Sequence, residues 1–343
     1  MFANTILEYP LLTIVSTGKR SFESLGKIIN RSGDTIKRRL RPAEESFCLI
    51  HRIAIEVFRD KEKLVVAIDD TLVKKFFSRL MRGAGLFYDT KLCRLIMAYR
   101  LLVIVVSDGR YTIPLRCTFL FAKELVERTI ESKNELVKRL FLTAEKILPN
   151  KIIIFLADGA FASVELLGWA IQTKRSLQVR MHSNRVVEYK SKKIAIRDIK
   201  ELRPKGRQMA RTITVLWHGL KLYITAQRRI DKHGKETVVY QAATYKAKPS
   251  SHVKDYKKRW GIEKLFRTTK QHLGLQECFS TNMDTQLNHM AAVLLAYSIV
   301  QWNMQKRKYD TPEETIRALK KKKVDLLKYQ FSRLGQIFGD VYA

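Results

Sequence analysis

Two short apolar runs in this chain each end on aspartate. Residues 64–68 (Leu-Val-Val-Ala-Ile) lead into Asp69-Asp70, and residues 152–156 (Ile-Ile-Ile-Phe-Leu) lead through Ala157 into Asp158-Gly159. Continuous apolar runs of this length, rich in β-branched residues and bounded by polar turn residues, are buried strands, and such strands need cover on both faces. Between them lie residues 95–107, a long β-type segment closing at Ser107-Asp108-Gly109, and residues 111–121, its hairpin partner, in which Pro114 points to an edge position. A helix is expected over 123–148, with Leu125, Ile130, Leu136, Leu140 and Ile147 inward and Pro149-Asn150 as its stop; a short helix over 163–172 follows the second run. The order strand, strand, strand, helix, strand, helix predicts an α/β fold: a mixed sheet with helices on its faces.

The flanks differ in character. In residues 1–60, Phe22, Leu25, Ile28 and Ile29 recur at helical spacing, a break follows at 30–33, and Asp34 is placed to cap a second helix carrying Lys37, Arg38 and Arg39. That shape fits a helix-turn-helix and equally a plain helical hairpin with a solvated basic face. Residues 176–248 read as a β-rich insertion, with strands expected at 177–181, 185–189, 194–199, 209–217, 220–226 and 236–244. One helix is expected from about 251 to 272, with Gly274 just past its end. Residues 285–304 form a strongly apolar helix, and 305–343 a basic, amphipathic helical segment. The expected domains are therefore 1–60, a catalytic core split into 61–175 and 249–304, the insertion 176–248, and the tail 305–343.

Charge narrows the class of partner. Lys and Arg number 65 against 33 Asp and Glu, a formal charge of +32, yet 46% of residues are apolar and 10% aromatic. A core of that size excludes general disorder, and the excess charge calls for a polyanion. Between residues 174 and 258, 23 Lys and Arg face 6 acids, more than surface solvation needs, which favours a nucleic-acid face. Cys48, Cys93, Cys117 and Cys278 form no CxxC pair and no cluster with histidine, so neither a zinc module nor a disulfide framework is expected. The most apolar stretches, 101–107 and 290–300, fall short of the roughly 18 residues of a spanning helix. With no signal peptide evident, the reading is a cytoplasmic protein, nucleoid-associated through DNA, with no membrane partner.

On a continuous helix at about 100° per residue, Tyr256, Arg259, Glu263 and Lys270 fall at about 0°, −60°, −20° and −40°, within one arc. Ile262, Phe266 and Leu273 form an adjoining apolar stripe, so the helix can dock while aiming one carboxylate and three phosphate-seeking groups together. Strand-end aspartates and a helix glutamate are hard oxygen ligands of the kind Mg2+ or Mn2+ prefers. Asp69 and Asp70, adjacent in a strand, point to opposite faces, so only one of them can serve that site.

Tyr256-x2-Arg259-x3-Glu263-x6-Lys270 resembles the Y-R-E-K signature of DDE transposases from bacterial insertion sequences. Ile68-Asp69-Asp70-Thr71 is similar to the family's first Asp motif and Ala157-Asp158-Gly159-Ala160-Phe161 to its second; the resemblance covers about 63–303. It implies a ribonuclease-H-like core with a β-rich insertion. It also implies that Asp70, Asp158 and Glu263 are catalytic and bind two Mg2+ ions, for which Mn2+ substitutes. Asp70 is preferred to Asp69 because Thr71 follows it. Tyr256, Arg259 and Lys270 would contact the transposon-end backbone, with Lys37, Arg38 and Arg39 reading DNA from the N-terminal module. Asp69, Trp260 and Trp217 are accessory candidates: Trp260 fits the family's Arg-Trp-x-Ile-Glu pattern as a packing residue, and Trp217 either stacks on an unpaired base or sits in the core. The implied activity is cut-and-paste transposition on double-stranded DNA, from the terminal inverted repeats of its own element into target DNA, with a homodimer joining two ends. A catalytically inactive DNA-binding protein and a ribonuclease-H-like nuclease without strand transfer are the alternatives.

Overall fold

The structure is a computed structural model whose described residues are 6–76, 81–121, 131–231 and 233–321. Among them, one mixed sheet of 11 strands organises the molecule. At its centre β1 (Lys63–Lys74) pairs antiparallel with β3 (Arg94–Ser107) and parallel with β5 (Ile152–Ala157). Beyond β3 lie β2 (Gly85–Asp89) and β4 (Thr112–Leu120), each antiparallel to it. The expected edge position of Pro114 agrees with this: β4 pairs only with β3, and their register shifts between Ile104 and Val105, where Pro114 offers no N–H.

The sheet continues past β5 into β6 (Ser176–Met181), parallel to it. Residues 176–181 were expected in the insertion, but this pairing joins them to the parallel half of the central sheet. Antiparallel to β6 runs β11 (Glu236–Ala243), followed outward by β10 (Leu220–Ile230), β9 (Ala210–Trp217), β7 (Val186–Tyr189) and β8 (Lys192–Ala195). The inserted strands therefore extend the same sheet. Residues 196–198, expected in a strand, form a 3-10 turn.

Helices cover the sheet. The long α9 (Met283–Arg307) is buried along most of its length and packs against α1 (Glu8–Val15), α4 (Ala43–Val57) and β4. Residues 1–60 are thus divided: α1 and α4 belong to the main core, while α2 (Phe22–Ile28) and α3 (Gly33–Arg39) close a small cluster of Leu25, Ile36 and Leu40 over Tyr9 and Leu12. Ser32, not Asp34, caps α3 by accepting from the Thr35 amide. Helix α5 (Lys133–Ile147) packs against β1, β3 and β4 and stacks Phe141 on Phe155 of β5, while α6 (Val164–Gln172) packs against β6 and β10. The helix expected from 123 begins instead at Lys133, behind a capping box made by Ser132 and Glu135; Leu125 and Ile130 lie outside the described residues.

The single helix expected over 251–272 is two, α7 (Pro249–Lys257) and α8 (Trp260–His272). At the junction the amides of Lys258, Arg259, Gly261 and Ile262 bond three residues back, to Asp255, Tyr256, Lys258 and Arg259. Such tightened turns rotate α8 relative to α7, so a common wheel no longer describes Tyr256 and Glu263. Gly274, at φ 75°, follows the C-cap Leu273 as expected. The chain's described end is α10 (Pro312–Lys321); 322–343 lie outside the described residues. No helix among the described residues is long and apolar enough to cross a membrane.

Candidate active site

The parallel pairing of β1 and β5 decides which aspartates meet. Ile68 lies opposite Ala157, and one step further sets Asp69 opposite Asp158. Residues opposite each other in a parallel pair share a sheet face, while neighbours along a strand alternate. Asp70 therefore leaves on the other face, where Arg100 holds it by two bonds, Nε to Oδ2 at 2.6 Å and Nη2 to Oδ1 at 3.0 Å. The expectation that Asp70 would join Asp158 and Glu263 is corrected by this geometry: it is Asp69 that faces them.

Helices α7 and α8 supply the remaining groups. Asp255, buried on α7, pairs with Lys63 of β1 at 2.9 Å. One residue on, buried Tyr256 donates its hydroxyl to the Ala157 carbonyl at 3.1 Å. That bond holds the residue before Asp158, and the phenol expected to contact DNA is buried against the sheet instead. At the helix junction, Arg259 donates Nη1 to Asp69 Oδ2 at 2.8 Å and Nη2 to Glu263 Oε1. Its guanidinium lies between two of the acids. Lys270, about two turns beyond Glu263 on α8, donates to Thr71 Oγ1 at 2.7 Å and to the Leu72 carbonyl at 2.9 Å. Burial, with Lys74 and Lys91 nearby, draws its ammonium down to about 8.

Two residues around Glu263 need comment. Trp260 is 53% exposed at the first position of α8, contrary to the expected packing role: the helix turns its opposite side, Ile262 and Leu265, into the core. Gly261 sits against β4 so closely that an added Cβ would lie 2.2 Å from Thr112 Oγ1. The absent side chain lets the start of α8 approach the sheet, where Arg259 links Glu263 to Asp69.

The acids are electrostatically crowded. Burial pushes the Asp69 carboxyl up to about 6; Arg259 opposes this, while Asp70 and Asp158 add to it. One oxygen of Asp158, Oδ1, is buried without a hydrogen-bond partner, which native structures seldom tolerate without water, an ion or a functional reason. Among the described residues no three acid, histidine or cysteine side chains stand ready to share one metal ion; Arg259 is interposed. Even so, the donor chemistry fits a hard divalent cation. Asp69, Asp158 and Glu263 offer only carboxylate oxygens, and the orphaned Asp158 oxygen is a group a cation would satisfy.

The other expected contacts divide. Lys37 and Arg38 are exposed on α3, but Arg39 is turned to α1, where it grips buried Glu8 at 3.1 and 3.2 Å. Trp217 is 3% exposed and closes the β9–β10 turn beside His218, so it has no face free for a base. In the insertion, Lys192, Lys193, Lys205, Arg207 and Lys221 are exposed. Sequence reasoning passed over Arg100 and Gly261. Arg100 stands in an apolar β-run, where a lone cation signals a buried acid to be met. Gly261 stands inside a helix, where glycine costs about 1 kcal/mol and implies a close neighbour.

A family model described as a transposase DDE domain matches residues 60–299. No curated protein matches the chain. Among solved structures, it is similar to the piggyBac transposase in a cryo-EM synaptic complex with hairpin DNA: 12% identity, a TM-score of 0.52, 95% of this chain and 71% of that one covered. At that identity the likeness is one of fold: a mixed sheet with helices on its faces.

Proposed function

Because the chain belongs to the transposase DDE-domain family, we propose that it cuts DNA at the ends of its own insertion sequence and joins the freed ends to target DNA. The observation that carries this reading is that Asp69 and Asp158 each follow the last paired residues of β1 and β5, Ile68 and Ala157, with Glu263 linked to Asp69 through Arg259 and one Asp158 oxygen left unbonded. Asp69, Asp158 and Glu263 would hold two Mg2+ ions, or Mn2+ in their place. Such ions supply activation of an attacking oxygen and charge stabilisation of a leaving one in phosphodiester chemistry.

The chain's own residues do the rest. Tyr256 holds the Ala157 carbonyl and so orients Asp158. Arg259 balances Asp69 and Glu263 when DNA is absent, and its guanidinium suits a phosphate when DNA is present. Lys270 braces the end of β1 through Thr71 and Leu72. Lys37 and Arg38 of α3, with the exposed cations of the insertion, are the surfaces for terminal inverted repeats and target DNA. Joining two ends calls for two protomers. A hairpin on the second strand is the route favoured by the fold's likeness to a transposase solved with hairpin DNA.

The test is a plasmid carrying this gene's native flanks, incubated at low salt with Mg2+ and either wild type or Glu263→Gln. Wild type alone is expected to cut at the element ends and to yield strand-transfer products, with the variant's cutting down by about 10^3-fold or more. Cut ends without joined products point to a nuclease. Binding by both proteins with cutting by neither points to a DNA-binding protein alone.

Acidity offers a second check. The Asp69 carboxyl, near 6 in the fold, lies above its ordinary unfolded value near 3.9. A raised carboxyl favours the folded state on the acid side: that stability is whole below about pH 4 and is lost as pH rises through about 6. Metal binding runs the other way, since the ligand must be ionised. The rise in melting temperature on adding Mn2+ is expected to be small at pH 5, to grow through pH 6, and to lose that step in Asp69→Asn.

A further inference from the structure

Helix α5 begins beside the second aspartate, and its first residue, Lys133, lies within electrostatic reach of Asp70 above all, then Asp69 and Asp158, with Arg100 also near. The helix start is tied down at several points: Ser163 donates to Asn134 at 3.2 Å, Asn134 to Glu165 at 2.6 Å, and Lys138 bonds Glu165. These contacts hold the first turn of α5 against the segment that follows Asp158. Lys133 is thereby placed with its ammonium 3.8 Å from the centre of the Phe161 ring and 3.3 Å from the Ala160 carbonyl, three and two residues beyond Asp158. Phe161 is 2% exposed, so the ring is a fixed platform rather than a mobile partner. Lys133 is half-buried and, among the described residues, makes no ion pair; one carbonyl takes one of its three donors.

A lysine held this way is already partly desolvated and keeps donors to spare, which is how a protein prepares a cation for an oxyanion. Arg259 reaches Asp69 and Glu263 from the start of α8; Lys133 approaches from α5, without an ion pair, and feels Asp70 before Asp69 and Asp158. Resting on the transposase reading, we propose that Lys133 is a DNA-binding residue of the active site, taking a backbone phosphate on the α5 side of Asp158. The backbone is then gripped from two sides, with the acids between. A plain counter-ion role, in which Lys133 only offsets the carboxylates, predicts a different outcome.

The two are separated by binding measured without metal. Wild type, Lys133→Ala and Lys133→Arg are titrated in EDTA, across a range of salt, with two duplexes: one carrying the gene's native end and one of unrelated sequence. Loss of one phosphate contact is expected to weaken Lys133→Ala roughly tenfold on both duplexes and to flatten the slope of log affinity against log salt by about 0.9. Lys133→Arg should restore both. A scan of the native duplex with single uncharged methylphosphonates should find one position where wild type loses the same affinity and Lys133→Ala loses nothing more. Unchanged affinity and slope in Lys133→Ala, as a counter-ion would give, overturns the proposal, as does an equal loss in Lys133→Arg. Failure of wild type to bind either duplex overturns both this and the transposase reading, whereas normal end-cutting by Lys133→Ala with unchanged binding overturns this one alone.

Discussion

Asp69→Asn is expected to abolish end-cutting, by about 10^3-fold or more, while Asp70→Asn leaves cutting within about tenfold of wild type. The two residues are neighbours with the same chemistry, so only the sheet separates them. Asp69 shares a face with Asp158 because β1 and β5 run parallel in register, and Arg259 ties it to Glu263. Asp70 spends both carboxylate oxygens on Arg100. Breaking that pair should cost stability by about 1 kcal/mol or less, since Arg100 is partly exposed and the pair is open to water. Plasmid cleavage and thermal melting on both variants give the answer. Loss of cutting in Asp70→Asn, with Asp69→Asn still active, would return the site to the other face.

Gly261→Ala is expected to destabilise the fold by about 1–3 kcal/mol, the usual range for overpacking, and to depress cutting beyond what the loss of folded protein explains. The new Cβ would meet Thr112 Oγ1 at 2.2 Å and its Cβ and Cγ2 at 3.2 Å. The β4 side does not yield easily, because the Thr112 amide is held by Gln301 at 3.0 Å and its hydroxyl by Ser107 at 3.0 Å. The start of α8 has to move, and Arg259 and Glu263 move with it. Thr112→Ala alone removes the nearest atoms, so the double variant should recover part of both losses. Such recovery marks direct coupling between the positions. Additive losses would instead mean that the helix start and β4 act independently.

Much of this fold was legible because its signals are local. Apolar runs marked β1 and β5, Pro114 marked an edge, and every strand of the insertion was anticipated within a few residues. What stayed hidden depends on partners far along the chain. The register of a parallel pair is written in neither strand, so the choice between Asp69 and Asp70 rested on Thr71 and went the other way. Tyr256 looks like a surface phenol until the Ala157 carbonyl, 99 residues away, is found to accept its hydrogen bond. Arg39 belongs to a basic helix until Glu8 is seen against it. No proline marks the turn at Lys258 and Arg259, where the hydrogen-bond pattern alone separates α7 from α8. Residues 176–181 carry the same alternation as the insertion and are told apart only by what they pair with.

The unbroken sheet has a geometric consequence. Neighbouring strands are rotated by roughly 20–25°, and β8 lies seven strands from β1. Across that span the surface turns by roughly 140–175°, close to a half-circle. The pleat that carries Asp69 at the centre thus faces nearly the opposite way at the far rim. Side chains on one face of the sheet near the acids and side chains on that same face at β8 therefore project in nearly opposite directions, like the two ends of a propeller blade.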